Sequence, residues 1–133
     1  MTEKIFPAEI NELASVIVFL EEELDKARVN PKLMVTLAVA LEELFVNVAH
    51  YAYPDSKGTV KIGIDTSGDS IIIQLTDSGI PFDPTSLPDP DITLSAEERK
   101  IGGLGIYMVK KSMDSMVYEY KDNQNILTVT KRK

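Results

Sequence analysis

The 133-residue chain has no cysteine and a single histidine, His50. The first absence excludes disulfides, thiolate metal centres and cysteine nucleophiles; the second excludes zinc sites built from several imidazoles. Basic residues are outnumbered by acidic ones, 14 against 21, which leaves a net charge of −7 and a pI near 4.7. That balance repels phosphodiester backbones and anionic lipid, so nucleic acid and membrane are not expected partners. The apolar runs are short and broken by charge, which argues against a transmembrane span. The start, MTEKIFPAEI, lacks the basic and apolar regions of a secretory leader, and the expected location is cytoplasmic. Internal repeats and low-complexity segments are missing as well. What remains is a globular composition, 44% apolar and 26% charged, at a length that predicts one domain over residues 1–133. A domain of this size buries about two-thirds of its unfolded surface, so a core forms without staples.

Periodicity orders the elements. A short strand is expected over residues 3–6, ending at Pro7. Ile10, Leu13, Ile17, Leu20 and Leu24 then form one helical stripe over residues 8–28. Asn30-Pro31 restarts the chain, with Asn30 as cap and Pro31 in the first turn of a second helix over residues 31–52. Apolar residues on both sides of that helix, including Val35, Val39 and Val46, predict burial over most of its circumference. Strands follow over residues 59–65 and 71–76, joined by a turn at Ser67-Gly68-Asp69. A stretch over residues 78–100 holds four prolines and exceeds the usual connection length, as a functional lid would. A helical turn over residues 95–99, a third helix over 104–116 and strands over 117–121 and 126–130 complete the chain. The last two strands are joined by a polar turn over residues 122–125. Met34, Met108, Met113 and Met116 read as core filler. Tight turns between strands, with helices in blocks, predict an α/β two-layer sandwich: a mostly antiparallel sheet covered on one face.

Three local patterns carry chemistry. EELFVNVAH places Glu43 and Asn47 one helical turn apart, where a carboxylate can polarise a nucleophile while an amide oxygen coordinates Mg²⁺. The same spacing also fits a solvated polar stripe. DSGIPFDP follows a buried strand; Asp77 there can accept a hydrogen bond from an exocyclic amine, and Gly79 lets a flat ring approach the backbone. A plain turn has the same composition. GGLGIYMVKK sends glycines straight into a helix, whose free N–H groups form an anion site, although a hinge would read alike.

The succession of these motifs resembles the GHKL ATPase superfamily, whose nucleotide-binding domains adopt the Bergerat fold. Within it, the PFDP ending of the aspartate motif and the short chain are most similar to the anti-sigma factor serine/threonine-protein kinases. The resemblance implies Glu43 as general base, Asn47 as Mg²⁺ ligand, Asp77 as acceptor for the adenine amino group and Gly79 beneath the ring. It implies Gly102, Gly103, Leu104 and Gly105 at the phosphates, joined by Lys100 or Arg99, and Thr128 at the adenine pocket, although a solvent-facing Thr128 fits the strand equally. His50, one turn beyond Asn47, reads as a hydrogen-bonded histidine at the edge of the site. The cofactors implied are ATP and Mg²⁺. The partners implied are an anti-anti-sigma (STAS-type) substrate, a sigma factor and a second copy of the chain, paired near Lys4–Phe6. The branch is expected to carry a partner-facing arginine on the first helix, and Leu13-Ala14-Ser15-Val16 has none. An ATP-binding interaction module without kinase activity and a plain ATPase therefore stand beside the kinase as alternatives.

Overall fold

A computed structural model describes residues 1–86 and 103–133. Five strands, β1 (Thr2–Pro7), β2 (Thr59–Asp65), β3 (Ser70–Asp77), β4 (Ser115–Lys121) and β5 (Gln124–Arg132), form one sheet in the order β1-β2-β3-β5-β4. Every neighbouring pair is antiparallel. Three helices, α1 (Leu13–Lys26), α2 (Pro31–Tyr51) and α3 (Gly103–Ser112), supply the second layer. The two-layer sandwich expected from the sequence is the one observed.

Strand alternation divides the sheet into an inner and an outer face. Val60, Ile62 and Ile64 of β2, Ile71, Ile73 and Leu75 of β3, and Leu127 and Val129 of β5 are buried against the helices. Their outward neighbours Ile72, Gln74, Ile126 and Thr128 are only partly covered. α2 contributes Leu33, Leu37, Leu41, Leu44 and Phe45 to the core, which makes it the central helix of the layer. By length and composition α2 could also cross a bilayer, which the apolar-run reading did not recognise. In the fold its apolar face is the floor of the core.

Some boundaries differ from those read in the sequence, each for a local reason. The first helix does not begin at Ala8: Ile10–Glu12 is a 3-10 turn, and Ile10 is exposed rather than part of the buried stripe. Its end is a Schellman turn, in which the Val29 N–H donates to the Leu24 carbonyl at 3.1 Å and the Arg28 N–H to that of Asp25 at 3.0 Å. Arg28 adopts φ = 56°, a position glycine normally takes, so composition did not mark the stop. α2 starts as expected, with Asn30 Oδ1 accepting from the Leu33 N–H at 2.9 Å. Its outward side is not buried, since nothing in a two-layer fold covers it: Val35 is 63% exposed and Val39 42%. Met108, on the outward side of α3, is likewise exposed rather than core filler. α3 stops at Ser112, four residues short of the expected end, and Ser115 already belongs to β4. The β4–β5 turn needs only Asp122 and Asn123, both at positive φ as a two-residue primed hairpin turn requires. β5 therefore begins at Gln124 and takes in Asn125. The helical turn expected over residues 95–99 and the greater part of the long stretch lie outside the described residues.

Candidate nucleotide site

The C-terminal half of α2 runs across the inner face of the sheet, leaving a cleft between it and the ends of β3, β4 and β5. Asn47, Val48, Tyr51 and Ala52 form one wall; Leu75, Asp77, Asn125, Leu127 and Tyr118 form the opposite one; Ile80, Phe82 and Pro84 close the outer end. The lining is mainly apolar, with a few convergent polar groups, as small-molecule sites are.

Asp77 ends β3 on its buried face and is 7% exposed. Its Oδ1 accepts from the Gly79 N–H at 2.9 Å and from Asn125 Nδ2 at 3.0 Å. Among the described residues no donor is bonded to Oδ2, so a buried carboxylate oxygen is available on the cleft wall. Gly79 lies against the end of α2. A Cβ there would come within 2.6 Å of the Ala52 Cβ and overlap the Ala52 carbonyl, which accepts from the Ile80 N–H at 2.9 Å. The glycine of this motif is thus required by close packing of the loop on α2.

Tyr53 locks the same corner. Its hydroxyl donates to the Thr59 carbonyl at 2.6 Å and accepts from the Ser78 N–H at 2.9 Å, while its ring occupies the space beside Gly58. Burial raises the Tyr53 phenol above its ordinary value, and the Asp77 charge adds to the effect. Tyr118 is raised in the same direction, first by burial and then by the charges of Asp83 and Asp77. Both phenols are therefore neutral donors.

Glu43 stands one turn before Asn47 on α2, and its carboxylate packs on the first turn of α3. A Cβ on Gly105 would overlap Glu43 Oε2. Glu43 and Gly105 are therefore neighbours, and Asn47, one helical turn along α2 from Glu43, lines the cleft together with Asp77. Gly103 and Leu104 open α3, so the free N–H groups of its first turn belong to the turn that meets Glu43 at Gly105. Lys100, Gly102 and Arg99 fall outside the described residues.

Two expected positions behave differently. Thr128 is not in the cleft: it alternates with Leu127 along β5, faces outward, and accepts from Gln74 Nε2 at 3.1 Å across the open face. His50 is exposed at the end of α2, its ring edge-on to Tyr51. The polar residue of β5 that lines the cleft is Asn125, opposite Asp77 in the strand register and 6% exposed. The signal for it was the alternation itself, since stepping back from Val129 and Leu127 lands on Asn125. Among the described residues no cluster of three acidic or imidazole groups could hold a metal. A cation here would depend on few protein ligands, and among the described residues none donates a hydrogen bond to the Asn47 amide oxygen.

A two-layer α/β sandwich with a mainly apolar cleft and a buried acidic acceptor on its wall has the form of a small-molecule-binding domain. The family model for the histidine kinase-like ATPase domain matches residues 6–131. The chain belongs to that family, whose domain is an ATP-binding one. It is 24% identical over 115 residues to a serine/threonine-protein kinase, BtrW, of Bordetella bronchiseptica, covering 86% of this chain and 81% of that protein. It is 26% identical over 95 residues to the serine-protein kinase RsbW of Bacillus cereus, covering 68% of this chain and 59% of RsbW. Among solved structures, the RsbU and RsbW domains of a Mycobacterium tuberculosis protein superpose with a TM-score of 0.64 at 14% identity, covering 99% of this chain and 32% of that one.

Proposed function

We propose that the protein is an ATP-dependent serine/threonine kinase that acts as an anti-sigma factor, modifying a small anti-anti-sigma partner of the STAS type and holding a sigma factor. The observation that carries this reading is the contact of Glu43 with Gly105 in the first turn of α3, one helical turn from Asn47, which lines the same cleft as Asp77. The similarity to two protein kinases that act on serine or threonine supports it.

In this reading Asp77 accepts the hydrogen bond of the adenine amino group through its Oδ2, and the aliphatic walls at Val48, Leu75 and Leu127 enclose the ring. The N–H groups that open α3, with Gly102 and Lys100, face the phosphates. Glu43 takes the proton of the attacking serine or threonine hydroxyl as the phosphoryl group is transferred from ATP to that oxygen, with ADP as the second product. Asn47 is the residue that would hold Mg²⁺, which neutralises phosphate charge when bound. The exposed outer edge of β1, around Lys4–Phe6, is where a second copy would pair, and the protein would work in the cytoplasm.

The test is transfer of labelled phosphate from ATP to the serine or threonine of a cognate partner. The expected result is label on the partner with the wild-type chain and a loss of about 10²–10⁴-fold in rate for Glu43→Ala, the range a general base contributes. Regulation that survives Glu43→Ala without any label on the partner would identify a nucleotide-gated interaction module. ADP release without a partner would identify a plain ATPase.

A further inference from the structure

Asn125 occupies the full hydrogen-bonding capacity of its side-chain amide. Nδ2 donates to Asp77 Oδ1 at 3.0 Å and to the Ile80 carbonyl at 2.9 Å. Oδ1 accepts from the Phe82 N–H at 3.1 Å and from the Tyr118 hydroxyl at 2.5 Å. These four bonds decide which end of the amide faces Asp77. Reversed, the amide would set its oxygen against a carboxylate and a carbonyl, and its NH₂ against the Phe82 N–H. Such mismatches are expensive in a buried site, because each leaves a polar group unsatisfied.

The consequence falls on Asp77. Asn125 and the Gly79 N–H both donate to Oδ1, so the carboxylate is held in one orientation with Oδ2 left for the cleft. Oδ2 then offers a fixed acceptor and no donor. A 6-amino purine presents a donor to such a group; a 6-oxo purine presents an acceptor and is refused, since a polar mismatch in a buried site discriminates strongly.

We propose that Asn125, locked by Tyr118, is the positioning residue that sets the purine preference of the cleft, by keeping Asp77 a pure acceptor. The inference rests on the nucleotide reading given above and extends it to residues that the sequence motifs did not mark. Were Asn125 to lose its donors, by reversal of the amide or by replacement with a carboxyl, Asp77 would face an acceptor and the pair would take up a proton. The O–H so formed can face the ring as a donor and weakens the discrimination.

The experiment is calorimetric binding of ATP and of GTP to the full chain, for the wild type, Asn125→Asp and Tyr118→Phe. Asn125→Asp keeps the shape but sets a second carboxyl against Asp77, so the pair must share a proton or repel. The expected result is a fall of about tenfold or more in the ATP-to-GTP affinity ratio for Asn125→Asp, and of about two- to tenfold for Tyr118→Phe, as befits one hydrogen bond. A merely structural role would weaken both nucleotides together and leave the ratio unmoved, and that result overturns the proposal. Tyr118→Phe deletes a single oxygen from a partly exposed strand, so it reads the ratio even where Asn125→Asp does not fold. Absence of binding of either nucleotide to the wild type would overturn the nucleotide reading itself, and this inference with it. An unchanged ratio in variants that still bind ATP would overturn this inference alone.

Discussion

Gly105 joins two separate parts of the site by having no side chain. Its Cα faces the carboxylate of Glu43, and even a methyl group would overlap Oε2. The atom displaced is the far end of a flexible side chain, so the fold can yield by moving Glu43 alone. Alanine also favours a helix interior over glycine by about 1 kcal/mol. Gly105→Ala is therefore expected to keep or slightly raise the melting temperature while lowering phosphotransfer by about 10²-fold, the cost of misplacing a reacting group by an ångström. Parallel thermal melts and rate measurements check this; a variant with wild-type rate would show that the Glu43 position is not critical. The patterns EELFVNVAH and GGLGIYMVKK each read equally well as structural features, and their contact was not visible in either. Asn125 was hidden for another reason. The hairpin turn is two residues long rather than four, so a residue read as turn lies inside β5 and on its inner face. Thr128, read as a pocket residue, then falls on the outer face by the same alternation.

At the scale of elements, α2 positions most of the site, and its signals were strong in the sequence. Asn30 and Pro31 fix its start, and the apolar spacing of Leu37, Leu41 and Phe45 marks its buried side. β2 was read residue for residue, since Val60, Ile62 and Ile64 alternate without interruption. The end of α1 was less legible, because a left-handed turn held by Arg28 lacks the usual glycine. A side chain in that region costs roughly 1–2 kcal/mol. Arg28→Gly is accordingly expected to stabilise the protein by about 0.5–1 kcal/mol, the hydrogen bonds of the turn being unchanged. Urea denaturation midpoints with equal slopes would measure it. A lower midpoint would mean that Arg28 makes a contact worth more than the backbone strain.

For the whole molecule, the arrangement of layers was predictable from tight turns and blocked helices, and it explains where the errors lay. A sandwich with helices on one face leaves the far side of α2 and the outer face of the sheet uncovered. Val35 and Val39 are therefore exposed although apolar, and local periodicity carries no information on how many layers a fold has. The same architecture leaves β1 at a sheet edge with backbone groups free for pairing. A homodimer through that edge predicts a mass twice that of the chain by light scattering at micromolar concentration. A proline placed at Ile5 should shift the mass to that of the monomer, and a monomeric wild type would contradict the pairing.

The net charge of −7 argues against nucleic acid as a partner but leaves room for a small polyanion met by N–H groups and a cation. The claim on which the account depends is that the cleft at Asp77 takes ATP, and a thermal melt with and without Mg-ATP tests it most directly. At a hundredfold excess over the dissociation constant, linkage gives about 2.7 kcal/mol of stabilisation, a rise on the order of 10 °C for a domain of this size. The expected result is that rise for the wild type and its near loss for Asp77→Asn, whose amide cannot serve as the same acceptor. A wild-type melting temperature unmoved by Mg-ATP, or an equal rise in Asp77→Asn, would contradict the account.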